Sequence, residues 1–180
     1  MNKSSTFYIS IMTLLLSSNA MATSPVHHEA LNSNAISTKV FTTQNYQSAT
    51  ETKMYPKPSE GMTQHIITLP KRENEQDYLL EVQIGKTQLV DCNQHRLMGK
   101  LEQLTVEGWG YPYYQVEKVI DGPSTMKMCI EPKQSKFVPL GEGIKVQYDS
   151  RLPKVFYLPQ DVQIRYRLWK THSDYLFTSE

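Results

Sequence analysis

The stretch V-Q-I-R-Y-R-L-W-K, residues 162 to 170, alternates without a break: Val162, Ile164, Tyr166 and Leu168 fall on one side, Gln163, Arg165, Arg167 and Trp169 on the other. A helix returns to one face every ~3.6 residues and a strand every two, so this spacing predicts a strand with one face on a core. Its free edge must be satisfied. Either a second copy of the chain exchanges strands with it, or its own arginines shield it from other chains.

Working back towards the N-terminus, the same kind of text recurs. Gln64 to Leu69, Tyr78 to Cys92, Lys100 to Gly108, Tyr113 to Val119, Lys136 to Leu140, Lys145 to Tyr148 and Lys154 to Leu158 are rich in Val, Ile, Leu, Thr and Tyr, with Gly, Pro, Asn or Asp between them. No window of a dozen residues offers a helical face. The expected fold is all-β, an antiparallel barrel or sandwich of about seven to eight strands.

The start of the chain reads differently. Lys3, the apolar run Phe7 to Leu16 and the small-x-small pattern Ala20-Met21-Ala22 have the layout of a secretory signal over residues 1–22. The run is too short for a membrane span. Residues 23–53 are rich in Ser, Thr, Asn, Gln and Ala without a sustained period, and are expected to form a flexible polar leader. His27-His28 within it has no partner cluster for a metal. Residues 54–180 remain as one domain.

Net charge is +1, from 19 basic and 18 acidic residues, which gives no field to draw nucleic acid or an anionic membrane. Export gives the two cysteines, Cys92 and Cys129, an oxidising compartment and one intramolecular choice, so a disulfide is expected between them. The common catalytic signatures, H-E-x-x-H, C-x-x-C, G-x-S-x-G and G-x-x-x-x-G-K-[ST], are absent. The expected protein is not an enzyme and needs no cofactor or metal.

Three segments exceed what plain turns require. In G-P-S-T-M-K-M-C, residues 122 to 129, a Gly-Pro turn leads Ser124, Thr125, Met126, Lys127 and Met128 into a half-cystine. A tethered loop of this kind fits a protease cleft, which pairs with a substrate's main chain and reads its side chains through pockets. Met adapts to pockets of several shapes. Met126 or Met128 could equally be core, although Lys127 between them requires an exposed face. In E-G-W-G-Y-P-Y-Y, residues 107 to 114, Gly108 and Gly110 flank Trp109, either to display the ring or to turn an aromatic corner of the core. In Y-D-S-R-L-P, residues 148 to 153, Asp149 and Arg151 face outward from a polar turn.

With V-D-C-N-Q-H-R-L-M-G-K-L-E (90–102) and Y-R-L-W-K (166–170), these segments resemble ecotin, a family of periplasmic serine-protease inhibitors, in one collinear order over roughly residues 54–170. The resemblance implies a β-rich homodimer that exchanges C-terminal strands and binds two trypsin-fold proteases, such as trypsin, chymotrypsin and elastase. It implies a reactive bond between Met126, as P1, and Lys127, with Thr125 and Ser124 at P2 and P3. Trp109, Gly110, Tyr111 and Pro112, with Asp149, Arg151 and Leu152, would form a secondary protease-binding site. Arg167 and Trp169 would lie in the dimer arm. Lys127 stands where the family commonly has Met, so trypsin-like enzymes could read Lys127 as P1 instead; its spacing to Cys129 favours Met126. Pro112 stands where an acidic residue is usual. A different class of function, an exported module that binds a saccharide or peptide, would stack its ligand on Trp109, Tyr111, Tyr113 and Tyr114.

Overall fold

The computed structural model describes residues 35–179; the expected signal, residues 1–22, and His27-His28 lie outside them. Eleven strands follow in chain order: β1 (Ser37–Phe41), β2 (Met62–Thr68), β3 (Tyr78–Val90), β4 (His95–Met98), β5 (Leu101–Thr105), β6 (Pro112–Val116), β7 (Ile120–Ser124), β8 (Gln134–Pro139), β9 (Ile144–Gln147), β10 (Lys154–Pro159) and β11 (Gln163–Lys170). The only helices among the described residues are two single turns of 3-10 type, at Thr50–Thr52 and Glu75–Asp77. The all-β expectation holds.

One sheet runs β1-β2-β10-β6-β5. It is antiparallel except where β10 meets β6, Phe156 opposite Tyr114. The second is built on β3, whose 13 residues carry β11 along one edge and, on the other, β9 followed by β8. A two-stranded ladder, β4 with β7, forms a third sheet, tied to the second by a parallel bridge between Leu97 and Leu140. Among the described residues no sheet closes into a barrel, so the sandwich alternative is the one found.

Strand alternation explains the core. Leu80, Val82 and Ile84 of β3 pack with Ile67, Val116, Phe156 and Leu158 of the larger sheet. On β10 the intervening Val155 and Tyr157 point the other way, into a second cluster with Tyr55 and Ile66. A central strand buried on both faces has to read as an unbroken apolar run, and V-F-Y-L at 155–158 does. On β11, Ile164 and Leu168 pack on the core, but Tyr166 of the same face stays exposed.

The described part of the expected leader, residues 35–53, is not free of structure. β1 pairs with β2 in register, Ser37 opposite Thr68 through Phe41 opposite Gln64. Thr52 is buried, and Ile36 and Phe41 pack on the two clusters. An edge strand needs main-chain hydrogen bonds and one or two apolar contacts, so a polar composition conceals it. β4 and β7 escaped the strand pattern for a related reason: I-D-G-P-S is short and carries Gly and Pro.

Candidate functional site

β7 delivers Ser124 opposite His95 of β4, and the chain then leaves the ladder as Thr125–Cys129. Met126 is 98% exposed and Met128 93%. Neither is a core residue. The Cys92–Cys129 disulfide is present, its Cα atoms 5.6 Å apart, and fixes the far end of the loop.

Between its ends the loop is held by a neighbour, the turn Asp91–Gln94. Thr125 N–H donates to the Gln94 carbonyl at 3.2 Å, and Gln94 N–H returns a bond to Thr125 Oγ1 at 3.0 Å. The Asn93 side chain does more. Its Oδ1 accepts from the Thr125 hydroxyl at 2.9 Å and from Lys127 N–H at 2.6 Å, while its Nδ2 donates to the Lys127 carbonyl at 3.2 Å. One amide therefore grips residues on both sides of Met126 and leaves its side chain free.

Asn93 is itself fixed. Its N–H donates to Asp91 Oδ1 at 2.9 Å, which also lies 2.8 Å from His95 Nε2. The His95 ring, and after it the Asn93 amides, hold the Asp91 carboxyl down to about 2. Sequence reasoning did not single out Asp91, Asn93, Gln94 or His95. A signal was present: a residue next to Cys92 must lie beside whatever Cys92 is bridged to, and Asn offers both a donor and an acceptor there.

The Trp109 turn closes the hairpin of β5 and β6. Trp109 N–H and Gly110 N–H both donate to the Val106 carbonyl, at 3.2 and 2.9 Å. Gly108 and Gly110 adopt φ of +74° and +71°, a region open to glycine at little strain, which is why they bracket the tryptophan. Trp109 is 52% exposed, its ring 6.0 Å from that of Tyr111. The other two rings are engaged elsewhere: Tyr113 packs with Tyr111 on the second cluster, and Tyr114 lies against the main core. Strand alternation sends Tyr113 against Tyr157 and Tyr114 against Phe156, on opposite sides of the sheet. A stacking platform of four aromatics is therefore not built. Pro112 opens β6, where its missing N–H is tolerated, and its carbonyl accepts from the Tyr55 hydroxyl.

At the third segment Arg151 folds back on Asp149, Nε to Oδ1 and Nη2 to Oδ2, both at 2.9 Å. The paired guanidinium holds the Asp149 carboxyl down to about 2. Ser150 N–H donates to Glu75 at 3.1 Å. Arg151 is exposed, Leu152 half-buried and Tyr148 buried. Pro112 and Tyr114 line the same surface concavity as Asp149, Arg151 and Leu152, so the hairpin's β6 side and this loop are neighbours.

Arg167 and Trp169 converge on Glu81, which is 6% exposed. Arg167 Nε and Nη2 reach its two oxygens at 2.8 and 3.2 Å, and the indole N–H of Trp169 donates to one of them. Lys145 Nζ lies 4.8 Å from the Trp169 ring. Arg167 first, then Trp169, hold the Glu81 carboxyl below the usual carboxylate range. β11 pairs with β3 of its own chain over its whole length, and its other edge carries no strand among the described residues.

Among the described residues no group of His, Cys, Asp and Glu is arranged to hold a metal. A family model described as Ecotin matches residues 51–171. The chain is 48% identical over 122 residues to an ecotin of Pseudomonas putida (strain W619), spanning 67% of this chain and 77% of that protein. It is 48% identical over 119 residues to an ecotin of Serratia proteamaculans (strain 568), spanning 64% and 70%. An ecotin of Pseudomonas fluorescens (strain Pf0-1) is 47% identical over 122 residues, spanning 66% and 76%.

Proposed function

The chain belongs to the ecotin family, whose members are protease inhibitors and not enzymes, and from that premise we propose that it inhibits trypsin-fold serine proteases as a slowly consumed substrate. The reactive bond is Met126–Lys127, with Met126 in the specificity pocket. One observation carries this reading: Met126 is almost wholly exposed while the Asn93 amide grips the Thr125 hydroxyl on one side of it and the Lys127 main chain on the other, with the Gln94 carbonyl holding Thr125 N–H.

The chemistry follows from that grip. The protease serine attacks the Met126 carbonyl carbon, an oxyanion hole receives the developing charge, and the histidine hands the serine's proton to the nitrogen of Lys127. In a free peptide that amine diffuses away and water completes hydrolysis. Here Lys127 N is bonded to Asn93 Oδ1, and Cys129, two residues on, is bridged to Cys92. The new amine stays beside the acyl-enzyme, so religation outruns hydrolysis. A loop already held in its bound shape also loses little entropy on binding.

A secondary site on the same protease is formed by Trp109, Gly110, Tyr111 and Pro112 with Asp149, Arg151 and Leu152, supplied by the second chain of a homodimer. The dimer exchanges C-terminal strands, so that Arg167 and Trp169 meet the Glu81 of the other copy; exchange preserves each contact in trans, which is why it is accessible to this fold. The setting is the periplasm, reached through the signal at residues 1–22.

The test is a titration of the mature, oxidised protein into chymotrypsin, trypsin and elastase, reading residual activity on small substrates. Stoichiometric inhibition of all three is expected. Met126→Asp places a charge in an apolar pocket and should weaken inhibition of chymotrypsin by about a thousandfold. Proteases that stay active, or that digest the loop at once, would refute the reading.

A further inference from the structure

Two methionines flank Lys127, and they are the most exposed of those described: 98% for Met126 and 93% for Met128, against 53% for Met98 and partial burial for Met54 and Met62. Both cysteines are closed in one disulfide, so no free thiol competes for an oxidant. The thioethers of the loop are therefore the soft nucleophiles that a peroxide meets first. We infer, resting on the inhibitor reading above, that Met126 is an oxidation site through which peroxide-class oxidants switch this inhibitor off against proteases with apolar pockets.

The step balances with hydrogen peroxide as the oxidant. A lone pair on Met126 Sδ attacks one peroxide oxygen, the S–O bond forms as the O–O bond breaks, and the departing hydroxide takes up the proton that the sulfur-bound oxygen sheds, leaving as water. Sulfur is oxidised by two electrons and peroxide is reduced by two. The product, methionine sulfoxide, is polar, and enzymatic reduction returns it to the thioether.

The geometry makes the consequence depend on the protease. Asn93, Gln94 and the disulfide grip the main chain of the loop and the Thr125 hydroxyl, and make no hydrogen bond to the Met126 side chain. Presentation of the reactive bond therefore survives oxidation. What changes is the group entering the pocket. An apolar pocket offers the sulfoxide oxygen no donor, and an unsatisfied buried acceptor is strongly disfavoured. The trypsin pocket is long and polar at its base, so the added oxygen can stay solvated there. Met128 oxidises as readily, but it lies outside the specificity pocket, and its change moves all proteases alike.

The experiment exposes the intact mature dimer to a graded series of hydrogen peroxide. Oxygen uptake is mapped by mass spectrometry after unfolding and trypsin digestion, cleavage after Lys127 placing Met126 and Met128 on different peptides. Met126 should gain oxygen ahead of Met98. In step with it, the inhibition constants for chymotrypsin and elastase should rise roughly ten- to a hundredfold, and that for trypsin roughly threefold or less. Methionine sulfoxide reductase should reverse the loss. Met126→Leu, compared with itself before and after peroxide, should lose the protease-dependent part and keep only the change of roughly threefold or less that Met128 imposes on all three proteases alike, whereas Met98→Leu should respond as the unaltered chain does. Oxygen at Met126 without a protease-dependent loss, an equal loss in Met126→Leu, or oxidation of Met98 ahead of Met126 would overturn the inference alone. An untreated protein that inhibits none of the three proteases would overturn the inhibitor reading and this inference with it.

Discussion

The loop at Ser124–Met128 and the loop at Asp149–Leu152 both face solvent, yet they are held in opposite ways. The first has almost no means of its own: its side chains are exposed, and its main chain is gripped from outside by Asn93, Gln94 and Cys92. The second largely satisfies itself, Arg151 closing on Asp149 two residues away, with buried Tyr148 and Pro153 as its anchors. A loop that offers its backbone to a cleft cannot spend that backbone on internal contacts, so a neighbour must supply the rigidity. A loop that offers a charge is free to fold on itself.

The sharpest way to break this contrast is Asn93→Ala. Two hydrogen bonds to main-chain atoms of Lys127 and one to Thr125 disappear, each contributing about 1 kcal/mol in a typical case. Since part of the ordering is kept by the disulfide, the expected loss of affinity is about thirtyfold, with visible cleavage at Met126–Lys127 on prolonged incubation. Gel analysis of the complex over hours, beside the inhibition constant, separates the two effects. Unchanged affinity and no cleavage would show that the bridge alone rigidifies the loop.

At the self-satisfied loop the expected effects are smaller. Arg151→Ala removes an exposed ion pair whose worth to the fold is slight, so the melting temperature should hardly move, while inhibition weakens about threefold. Trp109→Ala removes an exposed ring of the kind that anchors interfaces and should weaken it about tenfold. Because Asn93 and Arg151 share no partner, their losses should add; Arg151→Ala and Asp149→Ala are bonded to each other and should not. A double-mutant cycle on the inhibition constants reads both cases. Coupling between Asn93 and Arg151 would mean the two loops are held as one unit.

The same contrast marks what the sequence could disclose. β10 and β11 were legible because burial writes itself as an apolar run or a strict alternation. The exposure of Met126 and Trp109 was only half legible: an exposed Lys127 in extended chain puts Met126 and Met128 together on the opposite face without saying what covers it, and two glycines bracket Trp109 whether the ring is displayed or turned inward. Asn93 was not legible, since a polar residue that bonds to main chain leaves no periodic trace and matters only through the loop folded beside it. β1 stayed hidden because pairing with β2 asks little of its side chains. The Glu81 contact joins β3 to β11 through residues 86 positions or more apart, and nothing local in L-L-E-V announces it.

Acid should separate the scaffold from its loops, with the smallest effect on inhibition. His65 sits on β2 between β1 and β10, opposite Val40 and Phe156. The Thr63 hydroxyl has one proton, which it donates to the Leu158 carbonyl at 3.2 Å, so its oxygen accepts from His65 Nε2–H at 3.0 Å. Burial pushes His65 down from 6.5 to about 4. Between those values the unfolded chain binds a proton that the native state refuses, so stability is full above pH 6.5, falls as the pH drops to about 4, and levels off below. Asp91 and Asp149, both held at about 2, stabilise their turns above pH 3.8 and release them only further down. Thermal melts from pH 7 to 4 should therefore show a decline of several degrees that His65→Gln flattens. Over the same range the inhibition constant, measured well below the melting temperature, should stay level once the protease's own pH dependence is removed. A fall in affinity that tracked His65 while the protein remained folded would mean that the brace on the reactive loop reaches into the sheet.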